Sequence, residues 1–245
     1  KLLKKCIDSI LNQSYKNIQL IIVNDFSTDK SMDIINEYID YENVIILNNE
    51  KNYGCYVSIN LGLNFVDGDY ITIHGSDDIS FYYRYEKMMY EICSNNLMMV
   101  GNYIYRSHLP DFNNIDVCNV KNIFGKIACN NVIDKIHISE CCNPIVALGI
   151  LIYNKSVFDK IGIYETGRKA GDMIFFEKFL YVYENIKFKD GDCSHRYLTY
   201  NIESNNYKII KKVLYISSEI DGNNLTSQNI KFDINQYRKS LYSSN

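Results

Sequence analysis

The chain has 245 residues, 47% of them hydrophobic and 22% charged, with a net charge of -3 at pH 7. That length can bury a sizeable core in one large domain or two small ones. The charge balance gives no argument for nucleic acid or an anionic membrane surface as the main partner, and no stretch approaches the ~18 consecutive apolar residues of a membrane helix.

Lys1 to Lys5 lead into an amphipathic segment, not into the apolar core of a signal peptide. Leu2, Leu3, Cys6, Ile7, Ile10 and Leu11 recur at helical spacing. Ile18 to Val23 is a short apolar run closed by Asn24-Asp25, and so predicts a strand. Thr28 or Asp29 can cap a second helix in which Ile34, Ile35, Tyr38 and Ile39 share a face. Val44 to Leu47 predicts a second strand, and Cys55 to Phe65 a third helix after the Asn52-Tyr53-Gly54 turn. Gly68-Asp69 turns the chain into a third strand, Tyr70 to Ile73.

This alternation argues for an α/β fold, a mixed and mostly parallel sheet with helices on both faces. The series begins on a helix, although a helix covering a parallel sheet normally follows a strand. A first strand is therefore expected to be missing, as in a domain excised from a longer protein. Downstream, Tyr82 to Ile92 reads as helix and Leu97 to Tyr105 as strand. Residues 107 to 143 are polar and irregular. Ile145 to Tyr153 reads as strand, Ser156 to Ile161 and Met173 to Tyr183 as helices, and Arg196 to Ile202 and Ile209 to Ile216 as short strands. With no repeat or linker, 1–245 reads as one domain whose second half extends the same sheet.

The eight cysteines are Cys6, Cys55, Cys93, Cys118, Cys129, Cys141, Cys142 and Cys193. None forms a C-x-x-C pair, so they read as reduced, mostly buried thiols in the cytoplasm; a disulfide framework is the alternative.

In open parallel sheets, ligands bind beyond the carboxyl ends of the strands. Two strands here end in acids, one in Asn24-Asp25-Phe26-Ser27-Thr28-Asp29 and one in His74-Gly75-Ser76-Asp77-Asp78. Carboxylates on one edge suit hydroxyls, base N–H groups and a hard divalent cation, whereas a phosphate would need a metal in between. Turn formation and helix capping are the competing reading of these residue types.

The run Leu3-x-x-Cys-Ile-x-Ser-Ile-Leu-x-Gln-Ser-Tyr-x-Asn-Ile, followed by Ile-Ile-Val-Asn-Asp-Phe-Ser-Thr-Asp-Lys-Ser, resembles family 2 glycosyltransferases of the GT-A fold. Those enzymes carry Val-Asp-Asp-Gly-Ser-x-Asp-x-Ser at this place. Asn52-x-Gly54, Asn60-x-Gly62, Gly68-Asp69-Tyr70-Ile71 and Ser76-Asp77-Asp78 follow in the family's order and spacing. The resemblance is dense over residues 2 to 90. It returns weakly in Gly149 to Asp172 and in Asn224-Leu225-Thr226.

The resemblance implies transfer, with inversion, of a sugar from a nucleotide diphosphate donor, most often UDP-linked. The acceptor would be a glycan, protein or lipid-linked hydroxyl, and a divalent metal, Mn²⁺ or Mg²⁺, would assist. Residues 1–100 would form the nucleotide-sugar-binding half and 101–245 the acceptor-binding half. Asp25 would bind the base, with Asn52 and Gly54 beside it on the donor side. Asp77 would touch the metal or the donor's ribose and diphosphate. Asp172, an acid preceding an apolar helix, would be the catalytic base, because inverting transfer needs a carboxylate to take the acceptor hydroxyl's proton. A helix N-cap is the other reading of Asp172. A homo-oligomer is left open, and nucleic acid is not expected as a partner.

Two departures from the family's pattern stand out. The usual Asp-x-Asp-Asp reads Gly75-Ser76-Asp77-Asp78, without its first acid, and an Arg-x-His near the end reads Glu219-x-Asp221. One hypothesis lets Asp221 supply the metal-binding acid that Gly75 lacks. His74 or His195 could be a replacement ligand, although a lone histidine is more often structural. Arg168 and Lys169 could meet the diphosphate, or form a solvated basic pair. Tyr82, Tyr83 and Tyr85 could stack on a sugar, or serve as core and rim. The competing function is a degenerate glycosyltransferase fold that binds a nucleotide sugar or a protein partner without turnover. A Rossmann-type NAD enzyme is disfavoured because no G-x-G-x-x-G follows a predicted strand.

Overall fold

A computed structural model describes residues 2–107, 148–166, 171–189, 203–218, 238–239 and 241–242. Helix α1 (Leu2–Leu11) leads into β1 (Leu20–Asn24), α2 (Ser31–Ile35) with a 3₁₀ turn at Asn36–Tyr38, and β2 (Val44–Asn48). The β1 and β2 strands pair in parallel from Leu20↔Val44 to Asn24↔Asn48, so α2 is the crossover of a βαβ unit. The residue at the N-cap of that helix is Lys30, not Thr28 or Asp29, and Asp29 shapes the turn before it, its Oδ1 accepting the Ser31 N–H at 2.9 Å. The tightening to 3₁₀ shifts the helical phase. Ile35 and Tyr38 are buried, while Ile39, expected on the same face, is 65% exposed.

Helix α3 (Cys55–Leu63) leads into β3 (Tyr70–Thr72), and the two-residue β4 (Ile79–Ser80) precedes α4 (Arg84–Ser94) and β5 (Met99–Ser107). After a 3₁₀ turn at Leu148–Ile150 come β6 (Leu151–Asn154), α5 (Ser156–Ile161), α6 (Gly171–Glu184) and β7 (Tyr207–Ser218). These strands form a second sheet in the order β3-β6-β5-β7-β4. It is mixed: β5 and β7 are parallel, whereas β6 runs antiparallel to both β3 and β5. Helices α4 and α6 each end on an asparagine in the left-handed region, Asn96 (φ 51°) and Asn185 (φ 53°).

The α1 helix is wedged across both sheets. Its Ile7 packs with Ile35 and Tyr38 against Leu20, Ile22, Val44 and Ile46. Cys6 and Ile10 face the other way, into the cluster of Tyr85, Met88, Ile92, Leu97, Val100 and Ile152. The opposite face of the second sheet carries an aromatic core of Tyr153, Phe158, Tyr164, Phe175, Phe179 and Tyr207. Each such buried chain contributes about 1.5–3 kcal/mol. No helix among the described residues is long and apolar enough to cross a membrane.

Candidate active site

Strand β1 delivers Asp25 to a loop that it holds by hydrogen bonds. Its Oδ1 accepts from the Asn49 side chain and the Tyr53 N–H, both at 2.8 Å, and its Oδ2 accepts the Gly54 N–H at 2.8 Å. Burial raises the proton affinity of this carboxyl, but the donors from Tyr53, Asn49, Gly54 and Ser58 outweigh it and hold Asp25 below the usual carboxylate range. Gly54 sits at φ 89°, where a side chain is strained, and that conformation aims its N–H at Asp25. Asn52, the residue expected at the donor, is exposed in this loop. Asn49 instead does the tethering, and it also donates to Ser58 Oγ at 2.8 Å. Sequence reasoning passed over it, although an asparagine directly after a strand is the available signal.

The helix that begins at Gly54 packs beside the strand that delivers Asp25. Gln19, just before β1, donates to the Phe65 carbonyl at 3.0 Å and to Asp67 at 3.1 Å, beyond the far end of α3. Strand β3 starts from that same end, at Tyr70. The helix packs on β1 through Gly62, where a Cβ would meet Val23 at 3.2 Å, and its Ile59 and Leu63 border the core cluster that includes Ile71.

Asp172 reaches the site from the other half of the chain. It is the second residue of α6, half-buried, where the helix dipole favours a negative charge. The Tyr56 hydroxyl donates to Asp172 Oδ1 at 3.1 Å and accepts the Asp172 N–H at 3.4 Å. Cys55 lies between the two acids. Burial, then the charges of Asp172 and Asp25, push its thiol up to about 11.

The turn after β3 has its own support. His74 Nδ1 donates to the Gly75 carbonyl at 2.8 Å, which leaves Nε2 to accept from Ser80 Oγ at 2.9 Å. Ser80 Oγ in turn accepts from Arg84 Nη1 at 2.7 Å. Arg84 is fully buried, and its Nε donates to Asn102 Oδ1 at 3.1 Å while Nη2 donates to the Gly149 carbonyl. Burial and the Arg84 charge lower His74 to about 3, so the imidazole is neutral near pH 7. Both ring nitrogens are thus engaged by the protein, and His74 braces the acidic turn as a hydrogen-bonding residue. Just past the end of α1, the buried Gln13 donates to the Ser9 carbonyl of that helix and to the Phe81 carbonyl, both at 2.8 Å, and accepts the Tyr85 N–H at 3.2 Å. Tyr85 is core. His195, Arg168, Lys169, Glu219 and Asp221 lie outside the described residues.

A sequence model described as "Glycosyl transferase family 2" matches residues 1–144. The chain belongs to that family. Among its curated relatives, GlyA of Streptococcus pneumoniae is 43% identical over 76 residues, 31% of this chain and 11% of that protein. An "Uncharacterized glycosyltransferase" of Haemophilus influenzae is 43% identical over 105 residues, 42% of each chain. The chain thus spans less than half the length of these relatives. Its fold is that of solved GT-A glycosyltransferases. TarS of Staphylococcus aureus, residues 1-349 in complex with UDP-GlcNAc, superposes with a TM-score of 0.67 at 14% identity, over 98% of this chain and 61% of that one. The mannosyltransferase PcManGT of Pyrobaculum calidifontis, in complex with GDP-Man and Mn²⁺, gives 0.54 at 14% identity, over 89% and 52%.

The missing first acid has a structural counterpart in this chain. A Cβ on Gly75 would lie 2.3 Å from Asp78 Oδ2 and 3.3 Å from Asp77 Oδ1. The Asp78 carboxylate therefore folds back into the space that a side chain at 75 would take, beside that of Asp77. Among the described residues no three His, Cys, Asp or Glu side chains form a metal cluster. A pair of carboxylates fits Mg²⁺-like coordination, which uses one or two carboxylates plus substrate phosphates.

Proposed function

We propose that this glycosyltransferase moves a sugar from a UDP-linked donor to an acceptor hydroxyl with inversion, assisted by a divalent metal. One observation carries the reading. The loop into α3 holds Asp25 through the Tyr53 and Gly54 amides, and the first turn of α3 holds Asp172 through Tyr56. Asp25 and the loop of Asn52 and Gly54 would form the base end of the donor site, and Asp77 and Asp78 would hold the metal. When bound, the cation supplies positive charge to the leaving diphosphate. Asp172 accepts the proton of the acceptor hydroxyl as its oxygen bonds to the anomeric carbon. The bond from that carbon to the diphosphate oxygen breaks, and the electron pair leaves with the nucleotide. The free thiols Cys6, Cys55 and Cys93 support a reducing, cytoplasmic setting.

Calorimetric titration of UDP with and without Mn²⁺ tests the donor site, and silence in both titrations removes it. Turnover of UDP- and GDP-sugars in wild type and Asp172→Asn tests the chemistry. Loss of about 10²–10⁴-fold is expected for removal of a general base. Binding without turnover under every condition would instead support a non-catalytic module.

A further inference from the structure

Tyr56 is held as a rigid strut between the two halves of the chain. Its ring stacks on Tyr164 at 6.0 Å and 21°. Tyr164 is clamped to α3 by Asn60, which donates to the Tyr164 carbonyl at 2.7 Å and accepts its N–H at 3.0 Å. Tyr164 also stacks on Phe175 of α6 at 4.5 Å. At the start of α6, a Cβ on Gly171 would meet the Tyr56 ring at 2.9 Å, so the ring lies against a backbone that has no room for a side chain. From there the hydroxyl reaches both the amide and the carboxylate of Asp172. Burial and the Asp172 charge both raise the phenol's proton affinity, so it stays a neutral donor.

We infer that Tyr56 is a positioning residue for Asp172, with Gly171 as the gap that admits its ring, and that the first turn of α3 ties base placement to the donor loop. The inference rests on the reading of Asp172 as the base. A hydroxyl that gives a hydrogen bond to one carboxylate oxygen and takes one from the same residue's amide fixes how the carboxylate is turned. Positioning of this kind acts on the reacting geometry more than on donor affinity. Gly54 and Tyr56 lie on one turn, so the amide that holds Asp25 and the hydroxyl that holds Asp172 move together.

The test is UDP release from UDP-GlcNAc with Mn²⁺ and water as acceptor. It compares wild type, Asp172→Asn, Tyr56→Phe, Gly171→Ala, Tyr56→Ala and the Tyr56→Ala/Gly171→Ala double variant. Tyr56→Phe keeps the ring contacts. It is expected to lower kcat about ten- to a hundredfold, the scale of a lost hydrogen bond to a charged group, with donor KM unchanged within about twofold. Gly171→Ala should reproduce that loss in the wild-type background but add less than about twofold to Tyr56→Ala, because contacting residues are non-additive. A Tyr56→Phe enzyme with wild-type or higher kcat, beside an inactive Asp172→Asn, overturns the inference and leaves the base in place. An Asp172→Asn enzyme that turns over like wild type removes the base reading, and the inference with it. Wild type inert toward UDP-GlcNAc, UDP-glucose and GDP-mannose overturns both.

Discussion

Replacing Gly75 by aspartate would restore the acid that the family's motif usually carries, and here it should weaken the site. The new Cβ would stand 2.3 Å from Asp78 Oδ2, closer than any contact allows, so the Asp78 side chain must swing away. Gly75→Ala isolates that steric cost, about 0.5–1.5 kcal/mol for a side chain forced off its preferred rotamer. Gly75→Asp adds a third carboxylate beside Asp77 and Asp78. Two charges about 4 Å apart repel by about 4 kcal/mol at an effective dielectric constant of 20, and by about 1 kcal/mol in water. Because Asp77 and Asp78 are half-buried, the added cost should fall toward the lower figure, about 1–2 kcal/mol. Denaturant unfolding at pH 7 should therefore rank wild type above Gly75→Ala above Gly75→Asp. Below about pH 3.5, where carboxyls take up protons, the gap between the two variants should close. Calorimetry of Mn²⁺ with UDP should show weaker binding for both, because Asp78 has been displaced from Asp77. A Gly75→Asp protein that binds Mn²⁺ more tightly than wild type, without loss of stability, would refute the argument that Asp78 occupies the vacated place.

Other consequences are as direct. His74 is held neutral with its affinity lowered to about 3, so between that value and the unfolded ~6.5 the unfolded chain binds the extra proton. Stability should fall as pH drops through this window, by at most about 1.4 kcal/mol per pH unit from this group, and His74→Asn should flatten that limb in unfolding curves. Arg238 meets Glu177 through Nη2 at 2.8 Å and Nε at 3.1 Å, with both side chains buried. Arg238→Ala should cost about 3–5 kcal/mol by leaving the Glu177 charge uncompensated, and Arg238→Met with Glu177→Leu should recover much of it. Phe26 is 51% exposed at φ 61°, where only glycine is unstrained. Phe26→Gly should raise stability by about 0.5–1 kcal/mol, the strain relieved less the added chain entropy, and thermal unfolding measures it.

The first hundred residues were legible because each element buries one face at a fixed period. The α1 stripe and the β1 and β2 runs fall where the spacing puts them. Boundaries were less legible where an apolar run is buried on all sides. Residues 145 to 153 read as one strand, yet Leu148–Ile150 turn as 3₁₀ and the strand is Leu151–Asn154. The two-residue β4 carries no period at all. In the site, the acids at the strand ends could be found because strand termini announce themselves. Their partners could not: Tyr56 and Asp172 are 116 residues apart, and Arg84 and Gly149 are 65 apart. Gly171 before Asp172 was the one available local signal, since a glycine at a helix start admits a close neighbour.

The proposed site needs Asp25, Asp77 and Asp172 held in register. Strands β1 and β3 belong to separate hydrogen-bonded sheets, so no shared ladder fixes Asp25 relative to Asp77. The helices do it instead. The α3 helix packs on β1 and its N-cap amide grips Asp25, and α1 sends Ile7 to one sheet and Cys6 to the other. The Cys6 thiol lies 3.2 Å from the Gly75 carbonyl, at the base of the acidic turn. A change that loosens α1, such as Gln13→Ala, therefore acts on the spacing between donor loop and acidic turn before it acts on either alone. The geometry of the proposed site is carried by helix packing across a sheet boundary.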